Sequence, residues 1–196
     1  MTQRAVFLDR DGVINRALVR NGRPFPPASL AELEVLPGTA DALNRLRAAG
    51  FRLVVVTNQP DVARGRTTRA AVEALHAALE AQLPLDEFRV CYHDDRQRCD
   101  CRKPAPGLLL AAARESGLDL SCSFIIGDRW RDIEAGRRAG CQTVFIDYGY
   151  SEEQPSAPVA RVKSLAEGAE FVLASGGVRA EWRAEHVNDG ETRGGL

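Results

Sequence analysis

Ala5-Val6-Phe7-Leu8-Asp9-Arg10-Asp11-Gly12 is the stretch that decides the fold. Four apolar residues in a row show no alternation, so a strand built from them is covered on both faces. Strands of that kind belong to parallel sheets with helices above and below. Asp9 stops the run abruptly, and ligands bind where parallel strands end. The stretch therefore predicts an α/β chain with its chemistry at Asp9.

Working outward, the same pattern returns. Residues 53–56 (Leu-Val-Val-Val) are stopped by Thr57-Asn58-Gln59, and residues 123–126 by Gly127-Asp128. Residues 88–91 and 143–146 read as two further strands. Between them, apolar residues recur at helical spacing: Ala42, Leu43, Leu46 and Ala49 before Gly50, then residues 68–82, 107–116 and 131–139. Repeated strand–helix units predict a doubly wound, Rossmann-like parallel sheet. A helix capped by Ser164 and an edge strand at residues 170–173 complete the expected order.

Two regions break the rhythm. Residues 16–36, rich in Arg and Pro, read as a flap over the site. Residues 176–196 are polar and aperiodic and are expected to be a disordered tail. Residues 1–175 then form one domain. No cap domain fits between Asp11 and Thr57 or between Thr57 and Lys103, because a helix and a strand already occupy most of each interval.

The chain has 196 residues and a formal net charge of −1, so no global field favours nucleic acid or an anionic membrane. No apolar run approaches the ~20 residues of a membrane span. The expectation is a cytoplasmic monomer. The five cysteines are unevenly placed, with three inside residues 91–101, which points to a metal rather than to disulfides.

Four polar signals sit at strand ends. Two carboxylates two residues apart, Asp9 and Asp11, suit a hard, oxygen-loving cation. With magnesium cancelling the repulsion of a phosphoryl group, Asp9 can act as nucleophile and Asp11 as general acid and base. Thr57 offers a hydroxyl to phosphoryl oxygens, and Lys103 a cation. Asp128 can complete the magnesium shell with Asp9 and Asp11, and Asp132 can orient it. Each signal has an ordinary alternative: a solvated turn, a strand end, a surface Lys-Arg pair, a helix cap. Their fixed order, each after a different strand, is what carries weight.

Cys91-x-His93, five residues, then Cys99-x-Cys101 supplies three thiolates and one imidazole, a complete tetrahedral zinc set with no open position. It implies a structural zinc in a loop, residues 91–103, that runs directly into Arg102-Lys103. Cys122 and Cys141 read as small core residues, and His76 and His186 as no part of a metal site.

In these motifs the chain resembles the haloacid dehalogenase superfamily, whose phosphatases carry Asp-x-Asp, Thr or Ser, Lys and Gly-Asp-x-x-x-Asp in this order. The cysteine loop followed by Arg102-Lys103-Pro104 looks like the branch of heptose-bisphosphate and histidinol-phosphate phosphatases. The resemblance implies a small phosphorylated sugar as substrate. The leading expectation is hydrolysis of the 7-phosphate of D-glycero-D-manno-heptose 1,7-bisphosphate through an aspartyl-phosphate. Histidinol phosphate or another small sugar phosphate is the alternative substrate, and a non-catalytic zinc-bearing binding protein the alternative class. The same resemblance implies substrate contacts from Asn58, Gln59, Arg102 and Arg129, with Arg20 adding to the cationic rim. Pro60-Asp61 departs from the Ser-Gly usual in the branch; Pro60 removes an N–H, and Asp61 adds negative charge beside a phosphate site.

Overall fold

The structure is a computed structural model that describes residues 3–186, with side chains described to residue 175. Six parallel strands form the central sheet: β1 (Arg4–Leu8), β4 (Phe51–Asn58), β5 (Glu87–Cys91), β6 (Phe124–Gly127), β7 (Gln142–Ile146) and β8 (Ala160–Val162). β2 (Leu18–Arg20) and β3 (Arg23–Phe25) make a separate antiparallel hairpin inside the expected flap. The sheet order is β5-β4-β1-β6-β7-β8. From β1 the chain first steps to β4 and β5, then returns to β6 on the other side of β1. That reversal places the switch point, and hence the binding crevice, between β1 and β6.

Side chains alternate strictly along the buried strands. Val6, Leu8, Leu53, Val55, Phe124 and Ile126 enter one core layer, beneath α1 (Thr39–Ala48), α2 (Arg69–Glu80) and α5 (Leu165–His186). Ala5, Phe7, Val54, Val56 and Ile125 enter the other, beneath α3 (Gly107–Ser116) and α4 (Trp130–Ala139). Both faces are covered, which is why the strands show no polar alternation in sequence.

Three expectations need correction. Residues 170–173 lie inside α5 and are not an edge strand. Leu165, Ala169 and Val172 are buried at helical spacing, and β8 takes the edge instead. Ser164 does cap that helix, its hydroxyl accepting from the Glu167 N–H. The helix also continues through Gly176 to His186, where an unstructured tail was expected; residues 187–196 lie outside the described residues. Finally, Cys141 is buried as expected but Cys122 is half-exposed, in a short 3-10 turn ahead of β6.

Candidate active site

Asp9 follows the last residue of β1, and its N–H donates to the Ile126 carbonyl of β6 (3.0 Å), which pins it at the switch point. Its Oδ1 accepts from Lys103 Nζ at 2.8 Å. The same ammonium donates to the Val56 carbonyl at 2.6 Å and pairs with Asp132 Oδ1 at 2.6 Å. Lys103 is 2% exposed, so three acceptors replace its water shell. Burial works against its charge, but Asp132 and Asp9 outweigh it and hold the ammonium protonated.

Asp9, Asp128 and Asp132 each bring a carboxylate oxygen to within 4.8 Å of the others. All three are buried. Both oxygens of Asp128 are buried outside normal hydrogen-bond geometry, with the Tyr150 hydroxyl as a neighbouring donor. Burial, then Asp9 and Asp132, push the Asp128 carboxyl well above its ordinary range. Burial likewise raises Asp9, to about 6; Lys103 pulls it down while Asp132 and Asp11 push it up. Three carboxylates against one ammonium leave an excess of two negative charges, which a divalent cation would balance. Two glycines make the approach possible. A Cβ on Gly12 (φ +88°) would land on the Asp128 carboxylate, and one on Gly127 on that of Asp132.

Asp11 stands apart from this cluster. Its carboxylate accepts from Arg10 Nε (3.1 Å) and Nη2 (2.9 Å), from Asn15 Nδ2 (3.0 Å) and from Gln59 Nε2 (3.0 Å). Burial would raise its pKa, but Arg10 and these hydrogen bonds prevail and hold it below the usual carboxylate range. The structure therefore brings Asp132, and not the Asp11 carboxylate, to the oxygen cluster. Asp11 is instead an ionised acceptor held apart by Arg10, Asn15 and Gln59.

Thr57 is the penultimate residue of β4, buried, its Oγ1 accepting from Gln59 Nε2 at 2.9 Å. Asn58 was expected to meet substrate. Asn58 and Gln59 both line the cleft, and the Asn58 amide also clamps the Lys103 main chain from both sides: Nδ2 donates to the Lys103 carbonyl (3.0 Å) and Oδ1 accepts from the Lys103 N–H (3.1 Å). Gln59 likewise donates to Asp11 and Thr57. Both side chains organise the catalytic groups. Asp132 also closes the start of α4, its Oδ2 accepting from the Arg129 N–H at 3.1 Å.

Cys91 at the end of β5, His93, Cys99 and Cys101 converge. The Cys91 and Cys101 sulfurs are 3.1 Å apart, Cys91 and Cys99 3.8 Å, Cys99 and Cys101 3.5 Å, and His93 Nδ1 lies 3.2 Å from Cys101. Donors bonded at ~2.3 Å to one tetrahedral zinc stand about 3.8 Å apart. The cluster is close to that spacing, and no disulfide links its members.

A cleft of about 510 Å³ opens above Asp9, lined by Thr57, Lys103 and six arginines: Arg23, Arg64, Arg66, Arg102, Arg129 and Arg131. Asp95 gathers three of them, Arg64 Nη2 at 2.8 Å, Arg102 Nη2 at 2.9 Å and Arg131 Nη1 at 3.4 Å. Arg129 forks onto Glu152, Nε to Oε2 at 2.8 Å. Arg20 is not among the lining residues; it packs over the Phe25 ring, and Arg23, opposite it in the hairpin, takes the place in the cleft. Asp61 does not sit as a free charge beside the site: Arg64 (3.3 Å) and Arg66 (3.4 Å) pair with it. Arg10, Asp95, Arg131 and Glu152 were missed from sequence. Only Arg10, lodged between two motif aspartates, carried a signal that could have flagged it.

The chain is similar to proteins of known family. A family model described as haloacid dehalogenase-like hydrolase matches residues 19–140. D-glycero-alpha-D-manno-heptose-1,7-bisphosphate 7-phosphatase of Mycobacterium tuberculosis is 41% identical over 159 residues, 74% of this chain and 80% of that protein. D-glycero-beta-D-manno-heptose-1,7-bisphosphate 7-phosphatase of Escherichia coli K12 is 38% identical over 154 residues, 72% and 78% of the two chains. Among solved structures, D,D-heptose 1,7-bisphosphate phosphatase from B. bronchiseptica, complexed with magnesium and phosphate, superimposes with a TM-score of 0.71 at 30% identity. That alignment covers 88% of this chain and 99% of the other. No described helix is long and apolar enough to cross a membrane.

Proposed function

From the premise that this chain belongs to the haloacid dehalogenase-like hydrolases, and is a phosphatase, we propose that it removes the 7-phosphate of a D-glycero-D-manno-heptose 1,7-bisphosphate. The observation that carries the choice of substrate is the presence of six arginines among the residues lining the cleft that holds Asp9. One phosphate at Asp9 is matched by Lys103 and Thr57. Guanidinium groups gathered by Asp95 beyond it suit a second phosphate on the same small molecule, because planar forked donors match phosphate oxygens. The named activity of the relatives points the same way.

In the first half of the reaction an Asp9 oxygen bonds to phosphorus while the ester P–O bond breaks. The leaving oxygen takes a proton that Asp11, ionised at rest, first picks up from solvent. In the second half a water attacks the aspartyl-phosphate, its proton passing to Asp11, and phosphate leaves as Asp9 is freed. Lys103 and the Thr57 hydroxyl hold the phosphoryl oxygens throughout. Asp9 and Asp128 would hold magnesium, which supplies charge neutralisation for the incoming phosphoryl group. Asp132 keeps Lys103 in place. The cysteine loop would hold a structural zinc that stiffens the approach to Arg102 and Lys103. We take the protein to act as a monomer in the cytoplasm; five cysteines without a disulfide suit a reducing compartment.

The test is turnover of heptose 1,7-bisphosphate, fructose 1,6-bisphosphate and histidinol phosphate, with wild type and Arg102→Ala. The variant should lose about 10- to 100-fold in kcat/KM on the heptose bisphosphate, as expected for removing a hydrogen bond between charged groups. Its activity on monophosphates should change little. A preference of the wild type for histidinol phosphate would overturn the substrate assignment.

A further inference from the structure

His76 lies on α2, far in sequence from every motif residue, and is 6% exposed. Its ring stacks on Phe88 of β5, with centroids 4.5 Å apart at 23°. Its Nε2 stands 3.0 Å from Arg10 Nη1. A guanidinium can only donate, so Nε2 accepts and the imidazole is neutral, with its proton on Nδ1. Burial and the Arg10 charge agree with this, pushing the His76 pKa down to about 4.

Arg10 has no exposed surface. Its Nε and Nη2 grip both oxygens of Asp11, and Nη1 goes to His76. The guanidinium plane is thus fixed from two sides, by the carboxylate at one and the imidazole at the other. An arginine held only by Asp11 could rock with it. With His76 in place, the fork has one orientation, and the Asp11 carboxylate takes its position from that fork.

We propose that His76 is a positioning residue for the acid/base step: its neutral imidazole fixes the buried Arg10, and Arg10 sets where Asp11 stands relative to the leaving oxygen. The inference rests on the reading of Asp11 as general acid given above. It predicts an effect that depends on how much the leaving group needs a proton. A sugar alkoxide needs one; a nitrophenolate scarcely does.

The experiment uses the full chain with magnesium present and measures kcat and KM on a sugar phosphate and on p-nitrophenyl phosphate. His76→Leu, which keeps bulk and removes the acceptor, should lower kcat on the sugar phosphate about 10- to 100-fold, with KM within about twofold. On p-nitrophenyl phosphate the loss should stay under about threefold. His76→Gln, whose Oε1 can accept from Arg10, should recover most of the loss. If the leucine variant does not fold, His76→Asn, too short to reach Arg10, should show the same split between substrates. Equal slowing of both substrates, or of neither, with an active wild type overturns this inference alone. A wild type inert on every phosphate monoester would remove the reading of Asp11 and this inference together.

Discussion

Among the described residues, two clusters could hold cations, and they differ in almost every respect. Asp9 and Asp128, just after β1 and β6, and Asp132, in the first turn of α4, present hard oxygen donors, all buried, and neither Asp128 oxygen is in a well-formed hydrogen bond. Cys91, His93, Cys99 and Cys101 present soft donors on a loop; His93 is exposed, and only Cys91 is buried. The oxygen cluster retains donor capacity that a substrate and its cation can use. The cysteine cluster spends all four donors on one another's common centre. The difference separates chemistry from scaffolding: unsatisfied charge is kept where the reaction happens, and satisfied ligation where a loop must be stiff.

The comparison can be broken most severely at Asp9. Asp9→Asn removes the proposed nucleophile and should lower kcat by about 10⁴-fold or more, leaving the zinc content unchanged. Single-turnover phosphate release together with metal analysis checks both halves. Near-wild-type activity would refute an aspartyl-phosphate route.

Asp128→Asn should have two opposite effects. Activity should fall by about 10²- to 10³-fold, the scale of losing one electrostatic element of a transition-state site. Stability in metal-free buffer at pH 7 should rise, by about 1–3 kcal/mol, because an unsatisfied buried charge is removed. The sign follows from the raised carboxyl. Between its unfolded and folded pKa the native wild type binds more protons than the unfolded chain, so wild-type stability falls as pH rises through that window. The variant's advantage should therefore shrink as pH is lowered, and magnesium should reverse it. Thermal melts from pH 4 to 7, with and without magnesium, read this directly. A variant less stable than wild type without metal would mean that the charge is not strained.

Cys99→Ser tests the other cluster and should act least on chemistry. Loss of one zinc ligand should loosen the loop and reduce kcat/KM by about tenfold, with a lowered melting temperature that no longer responds to chelation. Magnesium dependence should be unchanged. If fold and activity are both unaffected, the loop does not need its metal.

Much of this site was legible because its main residues are local to strand ends. Asp9, Thr57, Lys103 and Asp128 each follow a recognisable run or motif, and the structure gathers them. The cysteine spacing likewise needed no fold to interpret. Less legible was a second task of Asn58 and Gln59, which the resemblance suggested as substrate contacts and which line the cleft. Their amides also bind the Lys103 main chain and Asp11 with Thr57. Arg20 and Arg23 were indistinguishable in sequence, since only the hairpin decides which one reaches the cleft. The reading at residues 170–173 failed because a short apolar run fits strand and helix equally.

The sequence by itself determined the layered α/β architecture, the order of the catalytic motifs and the four-ligand cysteine loop. Each of these depends on spacing within a few residues, where alternation, helical period and ligand reach are short-range properties. Only the tertiary structure decided the partnerships. Lys103 meets Asp9 across 94 positions, and His76 meets Arg10 across 66. Those pairs depend on how the crossovers bring β1, α2 and the loop after β5 together, and on burial that leaves each polar group no water to turn to. Asp9 therefore has its place at a strand end from the sequence and its buried, charged surroundings from the fold.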